Sequence, residues 1–77
     1  MNKMTVVSKS AAMKIKANYP NASVMKYCNG KYQWHGSAKH YIGKEVKCSS
    51  NVLTIYVERR QDSHGAYARM MCVVKPS

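Results

Sequence analysis

The chain has 77 residues, of which 13 are Lys or Arg and 3 are Asp or Glu, so its formal net charge is +10. We expect one small domain over residues 1–77, and no apolar run or N-terminal segment resembles a membrane span or a signal peptide. The three cysteines lack paired spacing, which predicts no disulfide framework and a cytoplasmic setting. The cations are spread along the sequence and predict an anionic partner.

The first predicted element is a helix from Ser8 to about Asn18, preceded by residues 5–7 as a short strand or a simple approach. Ser8 is a suitable N-cap because its hydroxyl can accept an otherwise unpaired backbone N–H. Pro20 disfavours the α conformation of the residue before it and ends the helix. One helical stripe is expected to pack on a sheet, and it contains Ala11, Ala12, Ile15 and Tyr19.

Asn29-Gly30 is the strongest turn signal, because a type I′ turn needs positive φ at both central residues. It predicts a hairpin in which residues 24–28 pair with residues 31–35 and Met25 faces Trp34. One face of this hairpin is aromatic and is expected in the core, the alternative being a base-stacking platform. The aromatic face contains Met25, Tyr27, Tyr32 and Trp34, and the opposite, basic face contains Lys26, Lys31, Gln33 and His35.

The second half of the chain reads as further strands. A third strand is predicted over residues 39–42, with a bulge or a close backbone approach at Gly43. Residues 45–48 continue that strand, and residues 49–51 form a turn. A strand rich in β-branched residues runs from Val52 to Arg60, and after a turn at residues 61–65 the last strand covers residues 66–74.

The register of the last hairpin follows from charge and aromatic pairs. Placing Gln61 opposite Ala66 also sets Glu58 against Arg69 and Arg60 against Tyr67. One face of this hairpin then contains Leu53, Ile55, Val57, Ala68, Met70, Cys72 and Val74. The second face is too apolar for plain solvent, so we expect it to contact a partner protein or a second copy. That face contains Thr54, Tyr56, Glu58, Arg60, Tyr67, Arg69, Met71 and Val73.

Cations and aromatic residues alternate along much of the chain. Cations can bind phosphates, and flat rings can stack on unpaired bases, so this pattern predicts nucleic-acid binding, with RNA ahead of DNA. All aromatic residues are Tyr or Trp, whose polar groups suit a wet surface. The predicted binding residues are Lys9, Lys16, Lys26, Lys31, His35, Lys39, His40, Tyr41, Lys44, Arg59, Arg60, Tyr67 and Arg69.

Metal binding and catalysis have weaker support in the sequence. The histidines and cysteines lack the close pairs typical of a zinc site, so no metal or cofactor is expected. Glu45, Glu58 and Asp62 are the only acidic residues, and no carboxylate pair results once Glu58 is assigned to Arg69. A metal-free ribonuclease could still use His35, His40 and Lys39.

Gly36-Ser37 followed by His40 loosely resembles the Gly-Ser-His signature of HicA-type toxins, small RNA-cleaving proteins with a dsRBD-like fold. In that family the histidine directly follows the serine, whereas Ala38 and Lys39 intervene here, and the closing helix of the family is missing. The resemblance implies ribonuclease chemistry as an alternative function.

The fold class predicted from these patterns is α+β, with one N-terminal helix on a four- to five-stranded antiparallel, meander-like sheet. The predicted function is non-enzymatic binding of nucleic acid, together with inhibition or regulation of a nucleic-acid-processing protein. The short length of the chain and its richness in Lys, Tyr and Met are common among small phage-encoded proteins. The alternatives are a pure protein-binding inhibitor of a host factor and a small ribonuclease of the toxin type.

Overall fold

A computed structural model describes residues 2–27, 33–35 and 41–76, with the backbone alone for residue 2 and residues 33–35. The fold is mixed α+β, with one short helix among the described residues and a curled sheet, so the predicted class is confirmed. In chain order the elements are β1 (Asn2–Val7), α1 (Lys9–Ala17), β2 (Ser23–Lys26), β3 (Gln33–His35), β4 (Glu45–Cys48), β5 (Val52–Asp62) and β6 (Gly65–Val74).

The sheet has the order β2-β6-β5-β1-β4, and β3 also pairs with β6. β1 runs parallel to β5, with Val6 opposite Ile55, so the prediction of a strictly antiparallel meander is wrong. The reason is α1, which crosses the sheet between β1 and β2. A helical crossover lets β2 run parallel to β1, and β6 and β5 lie between these two strands. Because β2 and β5 are both antiparallel to β6, β5 also runs parallel to β1.

The predicted central hairpin is not formed. β2 pairs with residues 71–74 of β6, and β3 pairs with residues 67–69 of the same strand, so Met25 lies opposite Cys72 instead of Trp34. Because β5 occupies the other side of β6, β2 and β3 follow one another along one edge. An isolated two-stranded hairpin is marginally stable, and each segment gains more by pairing with the long central strand. The Asn29-Gly30 turn lies outside the described residues.

The β5–β6 hairpin has the predicted register. Gln61 faces Ala66, Glu58 faces Arg69 and Arg60 faces Tyr67. The turn is tighter than expected because Asp62 also pairs with Gly65, whose φ of 117° suits glycine. An irregularity between Val52 and Thr54 moves Leu53 to the opposite face, where it packs on the helix side of the sheet.

The helix begins as predicted, since the Ser8 hydroxyl accepts the Ala11 N–H at 3.3 Å. Ala12 is fully buried, but Tyr19 is 42% exposed and does not belong to the packed stripe, because α1 ends at Ala17. Ala12 packs on the sheet with Tyr56, Met71 and Val73. The apolar half of the hairpin's second face is therefore covered by α1, and contact of this face with a partner stays a prediction. No helix within the described ranges is long and apolar enough to cross a membrane.

The other face of the sheet encloses a second group of buried side chains, and the two edges of the sheet meet over it. Tyr27, which follows edge strand β2, donates its hydroxyl hydrogen to the carbonyl of Lys47 on the opposite edge strand β4. Tyr27 is buried as predicted, whereas Met25 is 53% exposed and is not a core residue. The buried members are Val6, Tyr27, Cys48, Ile55, Val57, Ala68, Met70 and Cys72, and Cys48 and Cys72 form no disulfide.

The predicted third strand is absent where it can be checked. Residues 41–43 form a turn, and residues 39 and 40 lie outside the described part of the chain. Gly43 has a φ of 95° and donates its N–H to the carbonyl of Val6 at 2.8 Å. The close backbone approach is therefore the correct alternative at this glycine.

Replacing Tyr27 with phenylalanine should lower the free energy of unfolding by about 1 kcal/mol, the usual net worth of one hydrogen bond. The ring remains in the core, and only the bond that joins the two sheet edges is lost. We expect the melting temperature to fall by about 4–8 °C in a thermal melt followed by circular dichroism. Tyr19→Phe is the matched control, since this ring is exposed. Equal melting temperatures of the two variants would show that the Tyr27 hydrogen bond between the sheet edges does not stabilise the fold.

Candidate nucleic-acid interface

Several predicted binding residues meet at the end of the β5–β6 hairpin that lies nearest its turn. Register places Glu58, Arg69 and Gln33 in one row across β5, β6 and β3. Arg60, Tyr67 and His35 form the next row in the same way. We call this area the distal hairpin surface and define it by Lys9, Arg60, Tyr67 and Arg69. Arg59 lies on the opposite face of β5, because successive residues of a strand face opposite ways.

Three cations from three elements converge on the Glu58 carboxylate. Arg60 Nε donates to Glu58 Oε1 at 2.5 Å, and Arg69 Nη2 donates to the same oxygen at 3.3 Å. Lys9 Nζ, from the first turn of α1, lies 3.8 Å from Glu58 Oε2. Glu58 and Arg60 are neighbours because alternate residues of a strand share a face, and Arg69 is the cross-strand partner of Glu58.

The charge state of this cluster follows from its surroundings. Burial raises the pKa of Glu58, but the hydrogen bond from Arg60 and the three positive charges outweigh it, so the pKa lies below its ordinary value. The Glu58 side chain is only 12% exposed and stays ionised at neutral pH. Arg69 Nε is buried and has no hydrogen-bond partner among the described residues. The cluster thus has an excess of positive charge and one unused donor.

The distal hairpin surface has more cations than acids. It combines Lys9, Arg60 and Arg69 with two carboxylates, Glu58 and Asp62. Asp62 accepts the backbone N–H of His64 at 2.8 Å and so stabilises the turn. Lys9 and Arg60 are exposed, while Tyr67 and Arg69 are half-buried. This arrangement can attract an anion and can present a ring beside the cations.

The remaining predicted residues lie elsewhere or cannot be placed. Lys16 is half-buried on α1, and Lys26 is exposed on β2. Lys44 Nζ lies 5.7 Å from the centre of the Tyr41 ring, which packs against the core beside β4. His35 is defined by its backbone position alone, and the residues outside the described part are Lys31, Lys39 and His40. Within the described residues β2 and β3 pair with β6 and not with each other, so the hairpin that was to present a basic face is not formed there.

Sequence reasoning missed two features of the charged surface. Glu58 was expected to pair with Arg69 alone, but it also contacts Lys9 and Arg60. Lys3 and Lys47 are exposed and directly opposite each other on β1 and β4, a pairing of like charges that costs stability. The i, i+2 spacing of Glu58 and Arg60 could have indicated their contact. Nothing in the local sequence indicates the register between β1 and β4.

Two further sequence-based expectations concern metal binding and ribonuclease chemistry. Across residues 2–27, 33–35 and 41–76, no group of three His, Cys, Asp or Glu side chains is placed to hold a metal ion. The Gly36–His40 segment that resembles the HicA-type signature lies outside these ranges. The surface with the clearest chemical character in the described part is therefore the cationic one.

Comparison with known proteins gives a consistent family. Over 70 residues, the chain is 46% identical to the uncharacterized protein YkfH of Escherichia coli K12, covering 91% of this chain and 96% of the relative. It is 43% identical, with the same coverage, to the uncharacterized protein YeeT of the same strain. Identity to the uncharacterized protein YpjJ, also from K12, is 47% over 58 residues, or 75% of this chain and 88% of the relative.

No solved structure matches the chain. The family model described as "Protein of unknown function (DUF987)" matches residues 4–75, which is nearly the whole sequence. The chain therefore belongs to the DUF987 family.

Proposed function

We propose that this protein binds single-stranded nucleic acid, RNA ahead of DNA, through the distal hairpin surface. The observation that supports the proposal is the convergence of Lys9, Arg60 and Arg69, which come from α1, β5 and β6, on one side of the sheet. These residues are far apart in sequence, so the fold concentrates a charge that the sequence spreads out. The formal net charge of +10 adds a long-range attraction to any polyanion.

The surface has the two kinds of group that single-stranded nucleic acid requires. Guanidinium groups bind phosphate oxygens through two parallel N–H donors, and Arg60 is exposed for this role. Tyr67, its cross-strand partner, can contribute a ring for an unpaired base. A strand surface of this kind suits splayed bases better than a duplex groove does.

The test of this proposal is the binding of a short fluorescent mixed-sequence RNA, measured by anisotropy. The double variant Lys9→Gln, Arg60→Gln should bind about tenfold or more weakly at low salt, because two phosphate contacts are lost. The slope of log affinity against log salt should also fall by about 1.4, since each contact to a single strand contributes roughly 0.7.

The matched control is Lys47→Gln, Lys75→Gln, which removes the same charge near the opposite end of β5. The two ends of this strand lie roughly 30 Å apart at about 3.3 Å per residue. The control should weaken binding less than about threefold, because screened charges at that distance contribute little. Equal losses in both variants would contradict a localised interface, and a flat salt response of the unmodified protein would contradict nucleic-acid binding itself.

The same assay separates the alternative functions. The RNA should stay intact during the incubation, whereas cleavage that His40→Ala abolishes would favour a ribonuclease. Regulation of a nucleic-acid-processing protein stays a prediction, based on the small size of the chain and the absence of a catalytic set from its sequence. A pure protein-binding inhibitor has less support, since α1 already covers the apolar half of the face expected to dock a partner.

A further inference from the structure

The Glu58 carboxylate lies among three cationic side chains on the distal hairpin surface. Its two carboxylate oxygens receive two guanidinium groups and one ammonium group, the donors that proteins use for phosphate. One ionised carboxylate faces three cations, so the cluster keeps an excess of positive charge. A backbone phosphate of nucleic acid carries one negative charge, as the carboxylate does, but the phosphates next to it in the same strand can neutralise the remaining excess.

Arg69 is only partly used by the carboxylate. The Nε and Nη2 atoms of a guanidinium form the edge that binds carboxylates and phosphates through two parallel hydrogen bonds. In Arg69, Nη2 makes one long bond of 3.3 Å to Glu58, and Nε has no acceptor among the described residues. The Glu58 carboxylate is held more closely by Arg60, at 2.5 Å, and so leaves the Arg69 edge half satisfied. A phosphate in its place could accept from both donors.

We infer that Lys9, Arg60 and Arg69 form a phosphate-binding site, and that Glu58 masks it until a nucleic-acid phosphate displaces the carboxylate. The inference rests on the proposed function, since it assigns one subsite of that interface. Glu58 then acts as an internal competitor: the side chain lowers affinity for any single phosphate, and only a polyanion that also contacts neighbouring cations displaces it. This device would favour extended nucleic acid over free phosphate.

The variant Glu58→Gln tests the inference, because the amide keeps the shape and an acceptor but loses the charge. We expect it to bind the short mixed-sequence RNA about tenfold more tightly than the unmodified protein, or about 1.4 kcal/mol. Glu45→Gln is the matched control, since it changes net charge equally but lies exposed on β4. Its affinity should rise less than about twofold, because an exposed charge outside the interface is screened.

The outcomes separate the two proposals. Equal affinity gains in Glu58→Gln and Glu45→Gln, or no gain in either, would overturn the masking role. If the unmodified protein fails to bind RNA but Glu58→Gln binds, the proposed function fails and the masked site is supported. If neither binds, both are overturned.

A second measurement uses the unmodified protein and does not depend on the folding of a variant. The short mixed-sequence RNA is titrated while the arginine Nε–H signals are followed by nuclear magnetic resonance. The signals of Arg60 and Arg69 should shift and saturate, and that of Arg59 should move much less, because Arg59 has no part in the cluster. A shift as large at Arg59, or none at Arg69, would overturn the inference.

Discussion

Replacing Tyr56 with alanine is expected to lower the free energy of unfolding by about 3–5 kcal/mol, the cost of removing a large buried ring. Tyr56 is 2% exposed and is the largest of the fully buried side chains described, packed between the sheet and α1. A small domain has a total stability of about 0.05–0.15 kcal/mol per residue, so this loss is a large part of the whole. Burial, and after it the charge of Glu58, raises the pKa of Tyr56, so the lost ring is neutral at physiological pH.

The measurement is urea unfolding of Tyr56→Ala followed by circular dichroism, with Tyr19→Ala as the matched control. Tyr19 has the same side chain but is 42% exposed beyond the end of α1, so its loss should cost less than about 0.5 kcal/mol. The sequence predicted that Tyr19 packs on the sheet, so comparing these two variants tests which tyrosine is in the core. A larger loss at Tyr19 than at Tyr56 would contradict the placement of the helix.

Enlarging Ala12 to leucine should lower the free energy of unfolding by about 1–3 kcal/mol, because the site is already filled. Ala12 is 0% exposed and contacts the face formed by Tyr56, Met71 and Val73. A larger side chain must push α1 away from the sheet or force its neighbours out of their preferred rotamers. Leucine has nearly the helix propensity of alanine, so the helix itself should be little affected.

The control for this variant is Ala17→Leu, at the exposed last residue of the same helix. Its melting temperature should change little, whereas that of Ala12→Leu should fall by several degrees, about 4–8 °C for each kcal/mol lost. Unchanged melting of Ala12→Leu would show that the helix does not pack closely on the sheet.

Local signals in the sequence predicted the elements that local chemistry defines. The hydroxyl of Ser8 indicated the helix start, and the β-branched residues of segment 52–60 indicated the long strand. The register of the last hairpin followed from matching Glu58 with Arg69 across a short turn. The α+β class, and part of the candidate interface, could therefore be predicted from the sequence.

The elements of the fold that were predicted wrongly depend on contacts between distant segments. The Asn29-Gly30 signal predicted a local hairpin, but β2 and β3 each pair with the distant strand β6 instead. Parallel pairing of β1 with β5 joins residues about fifty positions apart, and no short-range pattern encodes it.

The sequence by itself determined the charge of the protein, the start of its helix and the register of its last hairpin, because composition, a cap and a short turn act over a few residues. Only the tertiary structure decided which face α1 covers and that Lys9 joins Arg60 and Arg69 around Glu58. Those choices depend on how much apolar surface each packing buries and on where the crossover places the helix, both of which are properties of the whole chain.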